Sequence, residues 1–401
     1  MKHLFINTLF TLLILSFSYA QNTYLNQVLI LNEGCYDFYE QEMLEPATIG
    51  VYHPEDNTYN TIIEIDGATF TTDLIIDENY FYVAADNKIL KYDLDTYELI
   101  ASQDVPGVRK LMIHEDYLII TKGDYDNETF GPVIFDSYLD VFSKIDLSLV
   151  MIFDTENGPQ WSTESLLKHG DQLYVGINNA YEYGNYKGIV GVLDLNTMSY
   201  TNEIYLGEDG KNPISLHIKD DHIYSVNNKN WDGTSISKIQ TTDLDVETIA
   251  ITDVSSGCGV SMIRGDKLYY QISSDVQMNK FDLQEMTDVG VVNNLDYNYY
   301  AIAENPINGY LYTAIANFVT NSGVMIYDQE YNTVNSFFAD VAASKIVFDV
   351  RSELTSLDDN MHNQKFVTKT IDLLGRDASK SNFKINLFDN GHVEKQYLIN
   401  K

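Results

Sequence analysis

From about residue 28 to residue 350 one phrase recurs: a short apolar strand, a polar turn, a strand rich in Val, Ile and Tyr, a loop, and a strand closing on Tyr-Asp-Leu-x-Thr or a variant of it. LIIDENYFYVAADNKILKYDLDTYELIASQDV (74–105) aligns with SLLKHGDQLYVGINN (165–179) followed by GIVGVLDLNTMSYTNEIYL (188–206). SLHIKDDHIYSVNN (215–228) aligns in turn with the start of SMIRGDKLYYQISSDVQMNKFDLQEMTDVGVV (261–292). Alternating or β-branched runs broken by Asp, Asn and Gly predict strands and tight turns, and helical periodicity is nearly absent. Equivalent second-strand positions are Tyr82, Ile119, Tyr174, Tyr224, Tyr269 and Tyr312, spaced 37 to 55 residues apart. That is the period of a four-stranded propeller blade, with loops taking up the variation.

Counting units predicts an all-β, seven-bladed β-propeller over residues 28–350, six or eight blades being the alternative. The first unit opens directly on the aliphatic strand VLILNEG and lacks the innermost strand that begins the others. SKIVFDV (344–350) supplies it from the other end of the ring. A C-terminal strand completing the N-terminal blade leaves no open sheet edge at the junction.

The flanks differ from the ring. Residues 1–20 carry Lys2, an apolar run and Ser18-Tyr19-Ala20, the pattern of a secretory signal peptide. A short linker (21–27) follows. Residues 351–364 form a second linker, and 365–401 a short β-rich tail. No later run is long and apolar enough to span a membrane. Export would place the protein outside the cell or on its outer surface.

Phrases such as KILKYDLDTYEL (88–99) and GVLDLNTMSY (191–200) resemble the surface-layer, YVTN-type β-propeller superfamily. LILNEG (29–34) resembles the opening of a propeller group of Gram-negative cell-surface proteins. The resemblance implies the fold and an exported setting; related propellers include scavengers of corrinoids and other cofactors. DLLGR (372–376) followed by LFDNGHVEKQYLI (387–399) resembles the sorting tails of the type IX secretion system, which implies export machinery as a partner.

The charge narrows the partners. The chain carries 59 Asp and Glu against 25 Lys and Arg, a net −34. Such a balance opposes nucleic acid, whose affinity comes from cations neutralising phosphates, and it opposes anionic lipid. It leaves neutral or cationic ligands, divalent cations included. Two cysteines, Cys35 and Cys258, lie in non-adjacent blades, an arrangement that favours two separate thiols over one bridge.

Loops joining the second and third strands share one face with the blade-linking loops, and they are long and rich in aromatics, Asn and acids. Functional groups collect on such loops. We therefore expect a small molecule or glycan there, with Trp161, Tyr181 and Trp231 as stacking platforms and Glu33, Arg109, Asn178, Asn179 and Asn227 as polar contacts. Asp124, Asp126 and Glu128 alternate as in a calcium loop, without the glycine or twelfth-position glutamate of an EF-hand. No other cofactor is implied. His114 and His169 occupy a turn slot filled elsewhere by Asp77, Lys219 and Arg264, the mark of a solvated hairpin. No nucleophile elbow, P-loop or dinucleotide fingerprint occurs. The leading expectation is a non-catalytic binding propeller. The alternatives are a lyase or lactonase-type hydrolase with a central divalent metal, and a protein-interaction or adhesion scaffold.

Overall fold

The computed structural model describes residues 23–352, save 38, 127, 130, 274 and 275, and, in the tail, residues 367–372, 376, 378, 383–388 and 393–397. The expected signal peptide, most of the 351–364 linker, and parts of the DLLGR and LFDNGHVEKQYLI motifs lie outside the described residues.

Seven four-stranded sheets make up the ring, each in the order of the chain except the first. Blade 1 is built from Ala343–Ser352, Thr23–Asn32, Thr48–His53 and Thr58–Glu64, so the C-terminal strand does supply the missing inner position. The innermost strands of blades 2 to 7 are Thr71–Asp77, Val108–His114, Thr163–His169, Pro213–Lys219, Ser261–Arg264 and Ala301–Glu304. The compact unit spans Leu25–Asp349. A separate unit contains the antiparallel three-stranded sheet Val367–Ile371, Phe383–Phe388 and Val393–Tyr397.

The two-residue alternation explains the near-continuous apolar second strands. Side chains on a strand point alternately to its two faces, and each face here meets a different neighbouring blade. Phe81 and Val83 pack toward blade 1, whereas Tyr82 and Ala84 pack toward blade 3. Leu29 and Leu31 face blade 2, while Val28 and Ile30 face blade 7. The buried apolar side chains thus fall into clusters that each span one blade–blade interface. A fully buried aliphatic or aromatic side chain stabilises by about 1.5–3 kcal/mol, so the ring is held by its interfaces.

The Tyr-Asp-Leu-x-Thr phrase also has a physical role. Asp93 Oδ1 accepts from the backbone N–H groups of Asp95 (3.0 Å) and Thr96 (2.8 Å). Asp194 repeats this with Asn196 (3.0 Å) and Thr197 (2.8 Å), and Asp282 with Gln284 and Glu285 (2.9 Å each). The carboxylate ties the outer hairpin, and the following leucine, Leu94, Leu195 or Leu283, is buried between blades. At the closing seam, Asp340 Oδ2 accepts from Thr48 and Thr61 at 2.7 Å each, joining blade 7 to blade 1.

Candidate functional site

A cavity of about 490 Å³ lies where the starts of the innermost strands converge. All seven blades contribute: Glu33 and Ser344 from blade 1, Thr72 from blade 2, Arg109 and Lys110 from blade 3, Glu164 from blade 4, Ile214 from blade 5, Cys258 from the approach to blade 6, and Tyr300 from that to blade 7. Loop residues Asn178, Tyr181 and Trp231 complete the rim. The pocket is therefore axial, at the mouth of the ring.

A repeated backbone device aims these side chains. In blades 2 to 5 the innermost strand carries one extra residue at its start, between Thr71 and Asp73, Val108 and Leu111, Thr163 and Leu166, and Pro213 and Ser215. Such β-bulges bend the strand and re-aim a side chain. Thr72, Arg109, Lys110, Glu164 and Ile214 all sit within these bulges and line the cavity.

The charged groups are locked in place. Arg109 and Glu164 form a two-pronged pair, Nε to Oε2 at 3.0 Å and Nη2 to Oε1 at 3.2 Å. The guanidinium also lies 5.6 Å from the Tyr181 ring centroid. Lys110 Nζ donates to the Thr72 carbonyl at 2.6 Å and stands 3.9 Å from Glu164. Beneath the cavity wall, Asp73 pairs with Lys345 at 2.8 Å and accepts from the Leu111 N–H at 3.0 Å. Burial pushes the Glu164 and Asp73 carboxyls up, but the adjacent cations outweigh it and hold both below the usual carboxylate range. Burial pushes the Lys110 ammonium down, with Asp73 and Glu164 opposing.

Glu33 behaves differently. The Tyr300 hydroxyl lies 3.0 Å from each of its carboxylate oxygens. Burial raises its affinity for a proton, and the hydroxyls of Tyr300 and Ser344 and the charges of Lys110 and Arg109 only partly offset this. The Tyr300 and Tyr181 phenols are pushed up, chiefly by burial. Cys258 is open to the cavity but enclosed by its walls, which pushes its thiol up.

Five of the eight expected polar and stacking residues meet at this cavity: Glu33, Arg109, Asn178, Tyr181 and Trp231. Trp161 and Asn179 line a second hollow, of about 820 Å³, with Asp124, Phe135 and Glu182. There the Lys187 ammonium lies 4.6 Å from the Trp161 ring centroid, and the Asn179 amide is spent on Glu182 (2.8 Å) and the Asn185 carbonyl (2.9 Å). Asn227 is a correction to the expectation: fully buried, it turns into its blade and donates to Ser235 and Ser237 at 3.0 and 2.9 Å.

The carboxylates expected to hold a cation serve their own loop. Asp126 Oδ1 accepts from the N–H groups of Glu128 (2.8 Å) and Thr129 (3.1 Å), and Asp124 Oδ1 accepts from that of Tyr125 (2.8 Å). Among the described residues, no group of three or more His, Cys, Asp or Glu side chains is placed to share a metal ion. Cys35 and Cys258 are both free thiols.

Lys110, Glu164 and Tyr300 were absent from the expected set. For Lys110 and Glu164 the signal was charge at the start of an otherwise apolar inner strand, as in VRKLMI and TESLL, and the bulges turn these two into the mouth. Tyr300 lies just before its inner strand, outside any bulge.

No protein-family model and no curated protein matches the chain. Solved structures do. A protein of unknown function from Desulfotomaculum acetoxidans superposes with a TM-score of 0.54 at 11% identity, covering 80% of this chain and 98% of its own. A hypothetical selenium-binding protein from Sulfolobus tokodaii gives 0.55 at 11% identity, covering 82% of this chain and 94% of its own. Likeness at this identity establishes the propeller fold, and function rests on the site. Among the described residues no helix is long and apolar enough to cross a membrane.

Proposed function

We propose that this chain is an exported, non-catalytic propeller that binds a small polar molecule, cofactor or glycan in its axial cavity. The observation that carries the reading is convergence: all seven blades deliver side chains to one hollow, and bulges in four of them redirect polar or apolar groups into it. A concave site with a few fixed polar groups and exposed aromatics is the form of a ligand pocket. Trp231 supports it further. The residue is 47% exposed at the rim, and Lys229, Asn230 and Trp231 hold successive left-handed φ values of 46°, 58° and 68°. Backbone strain of this kind collects at ligand clamps. The surface-layer-like repeats, the LNEG opening and the sorting-like tail support the outer cell surface as the setting, with the export machinery as a second partner.

The metal-dependent lyase or hydrolase reading finds less support, because Glu164 is committed to Arg109 and the described carboxylates do not gather. The test is a thermal-shift screen of the purified protein against neutral, acidic and amino sugars, nucleosides and tetrapyrroles. At least one class should raise the melting temperature, and Trp231→Ala and Tyr181→Ala should each abolish that shift. Stabilisation that survives both substitutions would place the site elsewhere.

A further inference from the structure

Two carboxylates line the cavity, and only one has a cation partner. Glu164 is gripped by Arg109 and approached by Lys110. Glu33 forms no ion pair among the described residues; it meets the Tyr300 hydroxyl, shared between its two oxygens at 3.0 Å, and the Ser344 hydroxyl. A carboxylate offers about four acceptor positions, so lone pairs are left over on this half-buried group that lines the cavity. The arrangement leaves acceptors for a bound molecule that brings hydrogen-bond donors. The backbone holds the group firmly. The Glu33 N–H donates to the Ala342 carbonyl and the Gly34 N–H to that of Val341, both at 3.0 Å.

The surroundings select the donor. An ammonium at Glu33 would share the cavity with Arg109 and Lys110, which already oppose it. An added carboxylate would meet Glu33 itself. Uncharged hydroxyls suffer neither repulsion, and two adjacent ones match the two oxygens of a carboxylate. An aromatic platform at the same rim, Trp231, fits the apolar face of a saturated ring.

Building on the axial-cavity reading, we infer that Glu33 is the recognition residue for a neutral carbohydrate, accepting hydrogen bonds from two adjacent hydroxyls of a sugar ring that stacks on Trp231. The ligand class is thereby narrowed to uncharged sugars or glycan termini, with uronic acids and amino sugars disfavoured.

The test is calorimetric titration of the purified chain with the methyl glycosides of glucose, galactose and mannose, the corresponding uronic acids and amino sugars, and adenosine. At least one neutral glycoside should bind, and its deoxy analogue lacking one of the paired hydroxyls should bind more weakly. Glu33→Gln keeps the shape and the contact to Tyr300 but loses one acceptor and the charge; it should lower affinity about tenfold or more at neutral pH. Wild-type affinity should fall as pH is lowered, because burial raises the Glu33 carboxyl's affinity for a proton and protonation removes the acceptor, and Glu33→Gln should flatten that profile. The other ionisable groups facing Glu33 are Tyr300, Cys258, Arg109 and Lys110, with Glu164, Asp73 and Lys345 behind them; the flattened profile assigns the effect among these. Preferential binding of an amino sugar, a uronic acid or adenosine, unaffected by Glu33→Gln but abolished by Trp231→Ala, would overturn the carbohydrate assignment and leave the cavity reading standing. Failure of every probe to bind would overturn both.

Discussion

Removing the Glu164 carboxylate should expose how the mouth is held together. The Arg109 and Glu164 side chains are 20% and 14% exposed and joined by two charged hydrogen bonds of 3.0 and 3.2 Å. Deleting one member of a buried pair typically costs about 3–5 kcal/mol, since the other charge stays buried without compensation. Arg109 keeps a little solvent and the Tyr181 face, which brings the expectation for Glu164→Leu down to about 2–3 kcal/mol. For a ring of this size that corresponds to a fall of about 3–4 °C in melting temperature. Combining it with Arg109→Met removes both charges and leaves an apolar pair of similar volume, so the double variant should return to within about 1 kcal/mol of the parent. Differential scanning calorimetry of the four proteins gives the cycle. A Glu164→Leu protein as stable as the parent, or a double variant losing the sum of the two single losses, would refute the reasoning. The acid limb offers an independent check. Glu164 has a lowered folded-state pKa, so its stabilisation is present above its unfolded value and is lost as pH falls through the folded one. Glu164→Leu should therefore show a shallower loss of stability below about pH 4.

Two further outcomes follow from packing and protonation. A Cβ on Gly50 would overlap the Tyr59 phenol, whose hydroxyl lies 3.3 Å from Asp340 at the closing seam; Gly50→Ala should cost about 1–3 kcal/mol, and an unchanged melting temperature would show that the seam yields freely. His217, within hydrogen-bonding reach of Ser261 at 2.8 Å, is pushed down to about 4 by burial. The unfolded chain therefore binds more protons than the folded one between that value and about 6.5, and stability should drop as pH falls through this window. Denaturant titrations of His217→Gln should show a smaller drop, and an identical slope would remove His217 as the cause.

The fold was legible in the sequence because its determinants are local and repeated. The period-two pattern of Phe81-Tyr82-Val83-Ala84 already encodes two packing faces, and Asp93, Asp194 and Asp282 advertise the same hairpin tie. Closure of blade 1 by Ala343–Ser352 was equally readable, since an innermost strand was missing at one end of the chain and left over at the other. The site was only half legible. The repeat register says on which face a residue emerges, yet not how far from the axis. So Trp161 and Trp231, expected to act together, line different hollows, while Asn227 turns into its sheet. The bulges depend on how each inner strand meets its partner, and nothing in VRK or TES marks the extra residue. The pairing of Arg109 with Glu164 crosses from blade 3 to blade 4, a contact that exists only once those two blades have packed together.

Those bulges also change what the overall charge implies. A chain of net −34 would be expected to present an acidic mouth and to draw in cations. Instead the lining holds Arg109 and Lys110 against Glu33 and Glu164, two of each sign, with Lys345 and Asp73 paired beneath. The excess negative charge is left to the rest of the protein, where like-charge repulsion favours solubility. Within the mouth the four lining charges balance, so selection passes to short-range groups: the Glu33 acceptors, the Tyr300 and Tyr181 hydroxyls and the Trp231 face. A cavity built this way discriminates by hydrogen-bond pattern and shape, as a site for an uncharged, hydroxyl-rich ring requires. Its affinity should accordingly depend little on ionic strength, whereas a site gathering cations by the net charge of the chain would weaken steeply as salt rises.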